Sequence, residues 1–287
     1  MQIREEVALI LQGFPRYSEN EFGFSAISCR AAKQCRAGGG SAMLPPVFHR
    51  AAVNGMSQTD IDRDQLKRLA ADRAVAEIRD GMVVGLGSGT TAAFAVAALA
   101  RRVSTGLRVT CIATSEKTAN LARQLSLPLT DFQRHRTIDL TIDGADEVER
   151  GTLSLVKGLG GALLREKIVA VASRRLIIIV DETKIAERLG DPVLLPVEVI
   201  PFGHEALIPR LEKIGLAPRL RMEGGRPFVT DGGHYILDCR CGEISDAEAL
   251  EQRLAQMVGV VESGLFIKLA ATVIIGRPQG IEMMQAR

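Results

Sequence analysis

The period of the hydrophobic positions changes along this chain. From Asp64 to Arg79, apolar side chains recur at Leu66, Leu69, Ala70, Val75 and Ile78, the spacing of one helix face. Asp80-Gly81 stops that pattern, and Met82 to Leu86 is a short apolar run expected as a strand. The turn Gly87-Ser88-Gly89-Thr90-Thr91 leads into a helix expected over Ala92 to Arg102. A strand is expected at Leu107 to Ala113, and Thr114-Ser115 suits the cap of a helix running to about Leu125. A strand at Ile138 to Ile142 and a helix at Ala162 to Val169 follow. Leu176 to Val180 is continuously apolar, as a strand covered on both faces should be. Alternating strands and helices imply βαβ units and a parallel sheet.

Beyond Leu189 the pattern changes. Strands are expected at Val193 to Ile200 and Pro218 to Met222, with a helix at His204 to Ile214 between them. Phe228 to Thr230 and Tyr235 to Leu237 flank Asp231-Gly232-Gly233-His234 and are expected to form a hairpin. Asp246 to Met257 should be a helix. Leu265 to Ile267 and Thr272 to Ile275 are apolar enough to return to the large sheet. The resulting division is a catalytic part at 57–190 and 263–287, with a small α+β domain at 191–262. Residues 1–56 differ, with Gly38-Gly39-Gly40, Pro45-Pro46 and no sustained periodicity. They are expected to be a poorly ordered leader or the product of a start site upstream of Met56.

Composition narrows the classes. With 287 residues and a net charge of +2, the chain can bury a sizeable core and gives no reason to expect a nucleic-acid partner. No apolar run approaches the ~18 residues of a membrane span. The five cysteines are odd in number and scattered, which argues against a disulfide framework and fits a reducing, cytoplasmic setting.

The candidate chemistry concentrates between Ile138 and Ala170. Ligands of open parallel sheets bind beyond the carboxyl ends of strands. That rule gathers Asp143, Asp146, Lys157 and Glu166 near one crevice. Three carboxylates and one ammonium suit proton transfer on a small polar substrate. Two aspartates separated only by Gly144 and Ala145 push their pKa values apart, and the same spacing would also admit Mg²⁺. Lys157 can neutralise an oxyanion or simply be a solvated loop lysine. Glu166, between Arg165 and Lys167, could be ordinary surface charge. Ser88 to Thr91, at a strand-to-helix turn, suits a phosphate, although a plain turn has the same composition. It lacks the third glycine of a dinucleotide fingerprint and the Gly-Lys of a Walker loop. Lys184 follows the Leu176–Val180 run at a strand end, and Lys67 lies on the first helix.

The motifs GLGSGTTA at 85–92, TIDGADEVE at 141–149, KGLGGALLREKIVA at 157–170, VDETK at 180–184 and LPVEVIPF at 195–202 resemble ribose-5-phosphate isomerases of the A type. The resemblance spans about Asp64 to Gly280. It implies an α/β fold, a Rossmann-like parallel sheet flanked by helices with an inserted small α+β, ferredoxin-like domain. It implies an aldose–ketose isomerase interconverting D-ribose 5-phosphate and D-ribulose 5-phosphate through an enediol, without cofactor or required metal, as a homodimer. Carried over by motif, Glu166 is the base. Asp143, Gly144, Ala145 and Asp146 contact the sugar hydroxyls. Lys157, Gly158, Leu159 and Gly160 form the opposite wall and stabilise the enediolate. Ser88, Gly89, Thr90 and Thr91 line the phosphate, with Lys184 and Lys67 adding charge. A sugar-phosphate deaminase or lactonase, and a non-catalytic sugar-phosphate sensor, are the rival readings. The sensor would need a helix-turn-helix, which the leader does not show.

Overall fold

The large sheet follows from the apolar runs. In the computed structural model, which describes residues 58–286, the chain begins with α1 (Gln58–Val75), β1 (Val83–Leu86), α2 (Thr90–Ser104), β2 (Thr110–Ala113), α3 (Glu116–Gln124) and β3 (Leu140–Asp143). Then come β4 (Glu147–Glu149), β5 (Leu155–Val156), α4 (Leu163–Val171), β6 (Leu176–Asp181) and β7 (Ile185–Ala186). The rest comprises β8 (Leu195–Val199), α5 (Ile208–Glu212), β9 (Ala217–Leu220), β10 (Met222–Glu223), β11 (Arg226–Pro227), β12 (Tyr235–Arg240), α6 (Ala247–Ala255), β13 (Val260–Ser263), β14 (Leu265–Phe266), β15 (Thr272–Arg277) and β16 (Gly280–Gln285). The expected leader, with Cys29 and Cys35, lies outside the described residues.

Six strands form one sheet in the order β16-β15-β6-β3-β1-β2. All neighbours run parallel except β16, which pairs antiparallel with β15. Every residue of β1, β3 and β6 is buried, as a sheet covered on both faces requires. The chain leaves β1 through α2 to reach β2 on one side, while β3 joins β1 on the other. The order therefore reverses at β1, and the ends of β1 and β3 flank a crevice of the kind that holds ligands in such sheets.

A second sheet, β13-β8-β12-β9, is antiparallel and packs on a separate core around Val197, Val199, Leu211 and Leu237. A third joins β14, β5, β4 and β7. Three expectations are corrected here. Leu265-Phe266 pairs with Val156 and Leu155 in the third sheet rather than returning to the large one. Phe228 to Thr230 is not the partner of Tyr235 to Leu237, because β12 pairs with β8 and β9. The hairpin lies one turn earlier, where β10 meets β11 across Gly224-Gly225, both at positive φ (56° and 79°). Two consecutive left-handed residues are what a type I′ turn demands, and glycine adopts them without penalty. Finally, the helix expected over His204 to Ile214 is a 3₁₀ turn (His204–Leu207) continuing into α5.

Candidate active site

The end of β3 sets the geometry. Asp143 is its last residue, and its Oδ1 accepts hydrogen bonds from the Ser88 amide (3.0 Å) and the Gly144 amide (2.7 Å). Asp143 can approach β1 this closely only because residue 87 is glycine. A Cβ there would overlap the Asp143 carboxylate. Its Oδ2 lies 3.0 Å from the Lys157 ammonium. Lys157 follows β5, its amide held by the Gly264 carbonyl (2.8 Å), and its Nζ also donates to the Gly144 carbonyl (2.6 Å). The same ammonium is 3.4 Å from Oε2 of Glu166, in the first turn of α4. Phe266 of β14 closes the floor, its ring 5.5 Å from Lys157 Nζ and 5.1 Å from Lys167 Nζ.

All three charged groups are buried, with Asp143 1%, Lys157 3% and Glu166 5% exposed. Burial pulls Lys157 toward the neutral form, but Asp143, Glu166 and Asp146 outweigh it and hold the ammonium above the ordinary lysine range. Burial raises Asp143, while Lys157 and its two amide donors pull it back. Glu166 has less compensation, since its Oε2 faces Lys157 at 3.4 Å but makes no hydrogen bond. Burial lifts its pKa to about 8; Lys157 opposes the shift, and Asp143 and Asp146 add to it. A proton shared in this cluster therefore belongs on Glu166, because Asp143 has three donors to satisfy its charge.

Asp146 is half-buried, and its Oδ2 accepts from the Leu159 amide (2.9 Å). The aspartate pair thus splits, with Asp143 facing the ammonium and Asp146 facing the Lys157–Gly160 loop. The position between Asp143 and Glu166 that a cation would share is taken by Lys157 itself. Among the described residues, no group of three or more His, Cys, Asp or Glu is arranged to hold a metal. The loop is built on Gly158 and Gly161, with φ of 103° and 81°.

At the end of β1, α2 starts from Gly89 (φ 94°) with no side chain capping it and no acidic residue in its first turn. The first amides of α2, at exposed Thr90 and half-buried Thr91, are left without a side-chain cap, an arrangement that suits an anion. Ser88 Oγ is within 2.8 Å of Thr114 Oγ1, 2.7 Å of Ser115 Oγ and 3.2 Å of Thr118 Oγ1. From the sequence alone, Thr114-Ser115 is marked only as a cap. Ser115 does cap α3, accepting from the Thr118 amide, but its hydroxyl also joins a cluster around Ser88 that the cap pattern alone does not mark. A Thr-Ser pair at the end of β2, beside the reversal of strand order, was the available signal. Lys184 closes the 3₁₀ turn after β6, and its charge acts on Glu147, whose carboxyl burial raises. Lys67 pairs with Asp64 on α1 (3.5 Å). Arg221, which sequence reading passed over, donates to the Gly158 and Leu159 carbonyls.

Residues 110–280 match the family model described as ribose 5-phosphate isomerase A (phosphoriboisomerase A). The chain belongs to the ribose 5-phosphate isomerase A family. It is 56% identical over 224 residues to ribose-5-phosphate isomerase A of Gloeobacter violaceus, covering 78% of this chain and 97% of that one. It is 50% identical over 232 residues to the Agrobacterium fabrum protein of the same name, covering 79% and 100%. The structure of ribose 5-phosphate isomerase A from Methanocaldococcus jannaschii superposes with a TM-score of 0.74 at 37% identity, covering 77% of this chain and 99% of that one. A D-ribose-5-phosphate isomerase in complex with phospho-erythronic acid superposes with a TM-score of 0.76 at 33% identity, covering 78% and 99%. The α/β fold implied by the motifs is that of these family structures.

Proposed function

We propose that this chain interconverts D-ribose 5-phosphate and D-ribulose 5-phosphate, with Glu166 as the base. The observation that carries the residue roles is a buried Glu166 oxygen that makes no hydrogen bond and lies 3.4 Å from a buried ammonium. In the open-chain aldose, the proton on C2 moves to the Glu166 carboxylate and an enediolate forms. Glu166 returns that proton to C1, and the hydroxyl proton of C2 passes to the oxygen on C1. The Lys157 ammonium, already protonated and fixed, stabilises the negative oxygen without reorganising. Asp143 and Asp146 hold the sugar hydroxyls. The relative's ligand, phospho-erythronic acid, carries both a carboxylate and a phosphate, and a carboxylate mimics the paired oxygens of an enediolate, which supports a sugar-phosphate substrate of this class. The uncapped start of α2 supports placing the phosphate at Ser88, Gly89, Thr90 and Thr91, and the buried Glu166–Lys157 pair supports placing the reacting carbons there. A phosphate held by backbone amides supplies binding energy remote from the reacting carbons, which positions them. Lys184 and Lys67 would add positive charge around the site.

A base with a pKa near the working pH is best matched to carbon acidity. A test measures conversion of ribose 5-phosphate by purified protein, with excess chelator, beside Glu166→Gln. Turnover that survives chelation and falls at least ~10²-fold in the variant supports the roles. No turnover by folded wild type overturns the substrate; equal rates overturn Glu166.

The division into 57–190 plus 263–287 and 191–262 is proposed on the same footing, supported by the antiparallel sheet drawn wholly from 195–263. So is a homodimer, which would cover some of the apolar surface at Phe202, Val171 and Val258; light scattering tests it. A cytoplasmic location fits the free thiols of Cys111, Cys239 and Cys241, and no described helix is long and apolar enough to cross a membrane.

A further inference from the structure

We infer that Arg221, reaching in from the antiparallel sheet, is a positioning residue that fixes the Gly158–Leu159 peptide and, through it, the Asp146 carboxylate. The inference rests on the proposed isomerase reading, in which Asp146 holds a sugar hydroxyl.

Arg221 lies just after β9 and is only 8% exposed, so its charge needs a partner. Asp238 of β12 supplies it through a two-pronged contact, with Nε 2.8 Å from Oδ2 and Nη2 bonded to Oδ1. This fork fixes the plane of the guanidinium, which lysine could not do. The remaining nitrogen, Nη1, donates to the carbonyls of Leu159 (2.9 Å) and Gly158 (3.2 Å). The Gly158 carbonyl and the Leu159 amide are two ends of one planar peptide unit. Arg221 holds its oxygen, and Asp146 Oδ2 holds its N–H at 2.9 Å. The unit pivots on one side about Gly158, which offers no side-chain resistance to rotation. Without the guanidinium, the plane is free to turn, and Asp146 loses the amide that orients it. Phe228 braces the same arrangement, with its ring 5.7 Å from the guanidinium carbon and against Gly161, where a Cβ would collide with it.

The inference predicts a loss in turnover rather than in substrate affinity, because the phosphate end of the site is untouched. Arg221→Met, which keeps the stem and removes the fork, should lower kcat about 10- to 30-fold with KM within about threefold. Arg221→Lys should recover only part of this loss. In an Asp146→Asn background, Arg221→Met should cost less than about threefold, because the carboxylate it positions is already gone. A purely structural arginine would instead reduce the folded fraction and multiply with Asp146→Asn. Assays are normalised to folded protein by circular dichroism. Should Arg221→Met fail to fold, Asp238→Asn carries the test; it keeps the packing and should lower kcat about three- to tenfold with KM unchanged. Wild-type kcat in the folded variant, or independent multiplication of the two losses, overturns the inference. An inactive wild type would instead overturn the isomerase reading itself.

Discussion

Glu166→Gln should change the pH dependence of stability as well as activity. The fold holds Glu166 with one oxygen unbonded, and burial lifts its carboxyl from an ordinary 4.5 to about 8. Between those values the folded protein keeps a proton that the unfolded chain has released. Stability from this group is therefore complete below the unfolded pKa and is lost as pH rises through the folded one. At about 1.36 kcal/mol per pH unit, the interval amounts to at most about 5 kcal/mol. Relaxation around the Lys157 ammonium reduces that figure, so about 3 to 5 kcal/mol is the working range. Glutamine cannot ionise and escapes the loss. Urea unfolding of both proteins, followed by far-UV circular dichroism from about pH 5 to about pH 9, isolates the term, since other titrating groups cancel in the difference. The variant should gain on wild type by that amount across the range, while losing at least ~10²-fold in turnover throughout. Parallel stability profiles would refute the account of Glu166 as a carboxyl held protonated by its surroundings.

Other perturbations probe the neighbouring groups. The free-enzyme profile of kcat/KM should rise with pH and level off beyond about 8, because the base must be ionised; a profile flat from about 6 to 9 would contradict this. Lys157→Met strands the buried Asp143 carboxylate and should cost about 3 to 5 kcal/mol in denaturant unfolding. Adding Asp143→Asn should recover much of that stability but no activity. Gly87→Ala forces a methyl against the Asp143 carboxylate and should destabilise by about 1 to 3 kcal/mol while nearly abolishing turnover, read by thermal unfolding and assay. Ser88→Ala removes the centre of the hydroxyl cluster and should raise KM about tenfold with little change in kcat.

The parts of the site that could be read from sequence are those whose partners are near in the chain or fixed by strand ends. Asp143, Asp146, Lys157 and Glu166 fall within one short stretch, and the rule that ligands gather beyond parallel strand ends brought them together. Helix starts at Ser115 and Asp246 were legible because the capping side chain lies three residues from the amide it serves. The failures share a different cause. β14 is two residues long, and its partner β5 is over a hundred positions earlier, so no local period marks it. The hairpin is displaced because the chain carries two glycine pairs close together, Gly224-Gly225 and Gly232-Gly233, which composition alone does not separate. At Gly232-Gly233 the chain does turn, with Gly233 bonded to Thr230, but the following strand pairs elsewhere. Arg221 is one of three arginines in RLRMEGGRP, and nothing local singles it out. Its role is set by carbonyls about sixty residues upstream.

Phe266 bears on how freely this chain can drift in sequence. Two ammonium groups sit over its ring, and the negative face of an aromatic ring attracts each of them by about 0.5 to 2 kcal/mol. An aliphatic side chain of similar volume would fill the space yet leave both charges against a surface with no such attraction. Tyrosine would add a hydroxyl to a fully buried position, where it would need a partner. In a randomised library selected for turnover, position 266 should thus return phenylalanine almost alone. The adjoining Leu265, equally buried but aliphatic, should accept other aliphatic residues, so neighbours in one short strand would tolerate replacement very differently.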